Sequence, residues 1–108
     1  MLSRRREGTV TVVDIDGGPD DGSPLVDLVE QILADGDRKI VLNLRGHMVD
    51  SNALGQATRC WLKTNREGGV LKIATRQLKV WDLIRMLRLD RVIGCYRSEA
   101  EALDSFTT

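Results

Sequence analysis

Ser51 is the residue whose neighbours in the sequence come nearest to a chemical site. Asp50 precedes it directly, and His47, the single histidine, lies four residues upstream. A hydroxyl, an imidazole and a carboxylate are the components of a nucleophilic serine site. However, the sequence has no Gly-x-Ser-x-Gly element, and nothing in it fixes a position for an orienting acid. We therefore expect no enzymatic activity here, and we expect His47 to face solvent in a loop.

The position of Ser51 is better suited to modification than to catalysis. Asp50 and Ser51 are good helix-capping residues, and the apolar residues that follow, such as Leu54 and Ala57, recur at helical spacing. A helix N-terminus carries unpaired N–H groups and about half a positive charge, so it tolerates an added anion. A phosphoryl group there would add about −1.5 to −2 charges. The alternative is that Ser51 or Asp50 only caps the helix.

The elements that must position Ser51 alternate along the chain. Ile40 to Leu44 is an apolar strand that a break at Gly46 follows, and the helix from about Ser51 is predicted to run to Arg66. By the same signals, further strands are predicted at about 9–16, 70–74 and 92–96, and further helices at 77–87 and 98–103. Another helix is predicted with Ser23 as its cap, Pro24 at its first position and Gly36 as its end.

Two of these predictions concern burial. In the strand at 9–16, the side chains of Val10, Val12 and Ile15 are expected to differ in burial, because a half-buried strand alternates. The residues of the helix at 77–87 that are expected to cover a sheet face are Leu78, Val80, Trp81, Leu83, Ile84 and Leu87.

Strands that alternate with helices predict an α/β fold with mainly parallel pairing, in which the helices are right-handed crossovers. At 108 residues, with 42% hydrophobic residues, the chain is the size of one domain, 1–108. Residues 1–8 are expected to form a short edge strand or to be flexible. A last helix is predicted from the capping-box spacing of Ser98 and Glu101.

Charge and hydropathy exclude several partners. The 16 basic and 16 acidic residues give a net charge of +0, which argues against a nucleic-acid binder. Residues 1–50 carry ten acidic and six basic side chains, so the second half carries the balancing excess of bases. No apolar run approaches the roughly 20 residues of a membrane helix, and the start of the chain does not resemble a secretion signal. We therefore expect no membrane partner and a cytoplasmic location.

The sequence also predicts no metal and no cofactor. Cys60 and Cys95 are far apart and have no second ligand at metal-binding spacing. Gly17-Gly18 and Gly68-Gly69 lack the spacing, or the lysine, of a phosphate-binding loop. Both cysteines are expected to be buried or half-buried free thiols.

The succession of motifs along the chain resembles the STAS domain family, and in particular bacterial anti-sigma factor antagonists. The resemblance runs from about Gly8 to Leu103 and rests on Ile-Val-Leu-Asn-Leu at 40–44, Val49-Asp50-Ser51, Leu54-Gly55, Gly68-Gly69-Val70-Leu71-Lys72-Ile73, Leu89-Asp90-Arg91-Val92 and Ser98-Glu99-Ala100-Glu101-Ala102-Leu103. It implies a STAS-like, mixed and mainly parallel sheet of four or five strands with about four helices.

The resemblance also implies roles for individual residues. The family's Asp-Ser-Ser-Gly-Leu-Gly loop carries a phosphorylatable serine, which by position is Ser51, and Asn52-Ala53 stands where the family has Ser-Gly. The family's Gly-x-Leu-Asp segment matches 17–20 apart from a proline in place of leucine. The residues expected to contact a partner are Asp20, His47, Asp50, Asn52 and Leu54. Arg88 stands where the family commonly has a helix-ending glycine.

The function that the resemblance implies is partner switching. The unphosphorylated protein would bind an anti-sigma factor that is also a serine kinase of ATPase fold. Phosphorylation of Ser51 would break that complex, and a phosphatase would restore it. The alternative is a non-switching STAS scaffold or a ligand-responsive regulatory module. The sequence leaves homodimer formation open.

Overall fold

The computed structural model describes residues 2–15, 23–45 and 51–107. Within them the chain forms β1 (Leu2–Glu7), β2 (Val10–Ile15), α1 (Ser23–Ala34), β3 (Lys39–Leu44), α2 (Ser51–Arg66), β4 (Val70–Thr75), α3 (Leu78–Met86), a 3-10 turn (Leu89–Arg91), β5 (Gly94–Tyr96) and α4 (Glu99–Asp104). The predicted order of elements is confirmed, and the beginning of the chain is a strand.

The strands form one sheet in the order β1-β2-β3-β4-β5. β1 pairs antiparallel with β2, and the remaining neighbours pair parallel. The predicted mixed, mainly parallel sheet is therefore confirmed, with five strands. Each of the three parallel connections leads to the next strand, always in the same direction across the sheet. Because such connections are right-handed, α1, α2 and α3 lie on the same face.

Both faces of the sheet are covered. On one face, side chains from α1, α2 and α3 join a cluster with Ile40, Leu42, Leu71 and Ile73. On the other, Ala102 of α4 packs on Val10, Val12, Val41 and Ala74. All six residues of β2 are buried, so the expectation that Val10, Val12 and Ile15 differ in burial is wrong. The reason is that β2 lies inside the sheet, with a helix layer on each side.

α3 covers the sheet with fewer residues than expected. Val80, Trp81 and Ile84 are buried, but Leu78 is 71% exposed and Leu87 is 48% exposed. Leu78 is six residues before Ile84 and therefore lies about 120° around the helix from it. Leu87 follows the last residue of α3. The prediction that both cover the sheet is therefore wrong.

Ion pairs fasten β1 to the rest of the molecule. Arg4 pairs with Asp35 at 3.0 Å and with Asp37 at 3.3 Å, and Arg6 pairs with Asp37. Arg5 points to the opposite face, as alternation along a strand requires, and pairs with Asp14 at 2.7 Å. The arginine run thus ties an edge strand to both sides of the sheet.

Local residues explain where α1 ends and where α4 begins. Gly36 follows α1 with a φ of +95°, a conformation that glycine adopts without a steric penalty. Ser98 caps α4, its hydroxyl oxygen accepting from the Glu101 N–H at 3.2 Å. This is the serine half of the predicted capping box, and the Glu101 carboxylate accepts from the Arg97 N–H at 3.3 Å. Within the described residues no helix is long and apolar enough to cross a membrane.

Candidate interaction site

Ser51 is the first residue of α2, so its predicted place at the start of the second helix is confirmed. The preceding strand, β3, ends at Leu44, at the carboxyl edge of the parallel strands. The residues Asp20, His47 and Asp50, and the side chains of Ser51 and Asn52, lie outside the described part of the structure. Their predicted contacts with a partner therefore stay predictions.

The first turn of α2 is held by the core. Ala53 is 6% exposed, and Leu54 is fully buried together with Ala57 and Cys60. This packing fixes the direction of the helix, and hence where its N-terminus points. The partial positive charge of the helix N-terminus lies at Ser51.

Leu54 is the one predicted contact residue whose side chain is described. It has no exposed surface and belongs to the main hydrophobic cluster. In this conformation Leu54 therefore has no surface to offer a partner, and its role in the site is to anchor α2.

Ala53 occupies a position at which the sequence departs from the resembled pattern, and the structure accounts for it. Ala53 is helical, and among the described residues only Arg88 is a non-glycine with positive φ. The backbone at Ala53 therefore does not require glycine, and the alanine methyl group gains burial instead.

A buried polar network lies on the sheet face that α4 covers. Asp14 of β2 is 4% exposed. Its carboxylate accepts from Arg5 Nε at 2.7 Å and from Asn43 Nδ2 at 2.8 Å. Arg5 and Asn43 also donate to the carboxylate of Glu99 at the start of α4. The network therefore connects β1, β2, β3 and α4.

The charge state of Asp14 follows from these contacts. The hydrogen bond from Arg5 is the largest effect and lowers the pKa of Asp14 below its usual value, burial opposes it, and the bond from Asn43 adds to the lowering. Asp14 is therefore ionised at neutral pH, and the buried carboxylate is compensated by a cation and an amide.

The sequence contains only a weak signal for this network. Asp14 and Asn43 interrupt apolar strands, and they are direct neighbours in the parallel register of β2 and β3. A polar residue in each of two neighbouring apolar strands could have suggested the pair, but Arg5 and Glu99, 94 positions apart, could be joined only by the fold.

The described residues contain no group of side chains that could hold a metal ion. Cys60 is buried, Cys95 is half-buried, and both are free thiols, as predicted. Burial is the main effect that raises the pKa of Cys60 to about 12 and that of Cys95 to about 11. Neither thiol is therefore activated as a nucleophile.

Comparison with solved structures identifies the fold. An anti-sigma factor antagonist from Mycobacterium paratuberculosis superposes with a TM-score of 0.87 at 21% identity, covering 100% of this chain and 94% of that one. A candidate anti-sigma factor antagonist from Thermotoga maritima gives 0.84 at 19% identity, covering 99% and 95%. The sequence matches no family model and no curated protein. The chain therefore has the STAS-like fold that its motifs predicted.

Proposed function

We propose that this protein is an anti-sigma factor antagonist that acts by partner switching. In its unphosphorylated form it binds an anti-sigma factor that is also a serine kinase of ATPase fold. Phosphorylation of Ser51 releases that partner, and a phosphatase acting on phosphoserine restores binding. The observation that carries the proposal is the placement of Ser51 as the first residue of α2, in a fold shared over its whole length with a protein named as such an antagonist.

The electrostatics of the helix end support the switch. A phosphoryl group at Ser51 would lie at the positive end of α2, where the chain itself tolerates it. In a packed interface the same group would bring about −1.5 to −2 charges that must lose water or meet a counter-charge. One local modification therefore leaves the antagonist folded and weakens its complex.

The rigidity of the anchor also supports it. Leu54, Ala57 and Cys60 are fully buried, so the start of α2 cannot move away from an approaching partner without breaking core contacts. In this proposal Asp20, His47, Asp50 and Asn52 form the contact surface around Ser51, Leu54 supports it from below, and the protein acts in the cytoplasm.

A kinase assay tests the proposal. The protein is incubated with its cognate anti-sigma kinase and ATP, and the intact mass is measured. We expect a gain of one phosphoryl group in the wild type and no gain in Ser51→Ala. Thr58→Ala is the matched control, because this α2 hydroxyl donates to the Leu54 carbonyl at 2.9 Å and lies two turns from the helix start.

Two results would contradict the proposal: an unchanged mass of the wild type, and modification of Ser51→Ala at the wild-type level. The alternative, a non-switching scaffold or ligand-responsive module, requires binding of the anti-sigma factor that is unaffected by ATP. The two functions therefore differ in one measurable property.

A further inference from the structure

A cleft at the carboxyl edge of the sheet is lined by three arginines. It measures about 390 Å³ and lies between the ends of β3 and β4 and the start of α4. Arg45 follows β3, Arg76 follows β4 and Arg97 follows β5. Because parallel strands end at the same edge, residues directly after each strand meet there. We propose that this cleft binds a small dianion of the phosphate type.

Two of the three guanidinium groups are available. Among the described residues, no carboxylate pairs with the side chain of Arg76 or Arg97, and Arg76 and Arg97 are both exposed. The Arg45 guanidinium lies 3.9 Å from the carboxylate of Asp14. It therefore contributes positive charge to the cleft while remaining tied to the buried network.

Arg97 is held in place without using its hydrogen-bonding edge. Its guanidinium carbon lies 5.4 Å from the centre of the Trp81 ring. Trp81 is itself fixed, since its indole N–H donates to the Thr75 carbonyl at 2.9 Å. A cation–π contact of this kind uses the charge of the guanidinium group and not its N–H donors, which can still bind an anion.

The carboxylates in the cleft do not cancel this charge. Glu99 accepts hydrogen bonds from Arg5 and Asn43. Glu101 lines an adjoining depression of about 350 Å³, together with Arg76, Arg97 and Trp81. Its carboxylate accepts from the Arg97 backbone N–H at 3.3 Å. Both acids accept hydrogen bonds from protein donors, whereas the guanidinium groups of Arg76 and Arg97 pair with no carboxylate among the described residues.

The donor set fits a phosphoryl group better than a single carboxylate. A phosphate monoester has three peripheral oxygens and about −1.5 to −2 charges at neutral pH. Guanidinium groups bind such oxygens through paired N–H bonds. Gln77 and the hydroxyls of Thr75 and Ser98 also line the cleft, and each hydroxyl that accepts a backbone bond can still donate its own proton. The volume lies at the low end of the roughly 300–1,000 Å³ typical of ligand sites.

Titration followed by NMR tests this site. Inorganic phosphate is added to the isotopically labelled protein at constant ionic strength, and the side-chain Nε–H signals of Arg76 and Arg97 are recorded. We expect saturable shifts at millimolar concentration. Arg76→Gln and Arg97→Gln should each weaken binding roughly fivefold or more, since each removes charge-assisted hydrogen bonds.

Arg59→Gln is the matched control. Arg59 is an exposed arginine of α2 that lines none of these depressions. Its loss removes the same charge, so phosphate binding should change by less than about twofold if the contact is local, because distant surface charges are screened. Equal weakening by Arg59→Gln and Arg76→Gln, or shifts that never saturate, would overturn the proposal.

Two further titrants define the ligand. Acetate should bind much more weakly than phosphate, and equal binding would overturn the assignment to a dianion. O-phosphoserine distinguishes the sources of the phosphoryl group. Tighter binding than inorganic phosphate identifies a phosphorylated side chain, and equal binding identifies a free phosphorylated compound. None of these measurements depends on phosphorylation of Ser51.

Discussion

Arg5 and Asp14 are diagonal neighbours on the antiparallel pair β1 and β2, and their side chains meet with Arg5 Nε donating to Asp14 Oδ2 at 2.7 Å. The carboxylate is almost completely buried, while the arginine is 36% exposed at its side chain. The pair is completed by Asn43 and Glu99. A single buried carboxylate thus holds the edge strand and the start of α4 against the central sheet.

We expect Asp14→Asn to destabilise the protein by about 1–3 kcal/mol. The substitution leaves Arg5 without its closest counter-charge in a partly buried site, and such losses are costly. Urea denaturation measures the change. Asp82→Asn is the control, since the Asp82–Arg85 pair is exposed and 3.8 Å apart and should change stability by less than about 0.5 kcal/mol. Equal losses of stability in the two variants would show that the buried network contributes no more to stability than an exposed ion pair.

The stability of the protein should also fall in acid in a way that depends on Asp14. Its pKa is lower in the folded state than in the unfolded state. Its contribution is therefore present above the unfolded value of about 3.9 and is lost as the pH falls through the lower, folded value. Urea denaturation of the wild type and Asp14→Asn between pH 7 and pH 3 tests this.

The difference in stability between the wild type and Asp14→Asn should shrink below about pH 4. Asp37 will add to the acid sensitivity of both proteins. Burial acts to raise its pKa, but the hydrogen bond and charge of Arg6 lower it overall. A difference that stays constant across the range would contradict the assignment of the ionised state to Asp14.

The two cysteines should react slowly in the folded protein. Burial raises the pKa of Cys60 to about 12 and of Cys95 to about 11, so little thiolate exists at pH 8. Iodoacetamide labelling followed by peptide mass spectrometry should show both sites modified far more slowly than in denaturant, with Cys60 the slower because it has no exposed surface. Labelling of Cys60 at the denatured rate would contradict its place in the core.

Arg88→Gly should stabilise the protein by about 0.5–1 kcal/mol. Arg88 has a φ of 58°, a left-handed conformation that costs a non-glycine residue about 1–2 kcal/mol, part of which glycine returns as backbone entropy in the unfolded chain. Arg91→Gly is the control. It lies in the 3-10 turn with φ in the ordinary range, so glycine should destabilise there. Thermal unfolding should show a higher melting temperature for Arg88→Gly and a lower one for Arg91→Gly than for the wild type.

The sequence predicted the helices and strands well where the hydrophobic periodicity agreed with the turn and capping residues. The helix at 51–66 and the strand at 40–44 were placed almost to the residue, because an apolar run, a break and a capping pair all pointed to the same boundaries. The left-handed residue at Arg88 was indicated only by comparison with a glycine in the resembled pattern.

The predictions that failed, and the cleft that was not predicted, depend on contacts between elements that are far apart in the sequence. The burial of both faces of β2 requires α4, which arrives about ninety residues later. Likewise, Arg45, Arg76 and Arg97 read as separate surface charges along the chain, although each follows a strand. Only the parallel order of β3, β4 and β5 places them around one cleft.

The central claim is that charge at the start of α2 decides whether the partner is bound. Isothermal calorimetry with the anti-sigma factor should give Ser51→Ala an affinity near that of the wild type, and Ser51→Asp an affinity at least about tenfold weaker, since an unpaired charge would be buried at the interface. Asn65→Asp is the matched control, because it adds one charge to the same helix about 21 Å away. It should bind as the wild type does. Equal affinities for Ser51→Ala and Ser51→Asp would contradict the account.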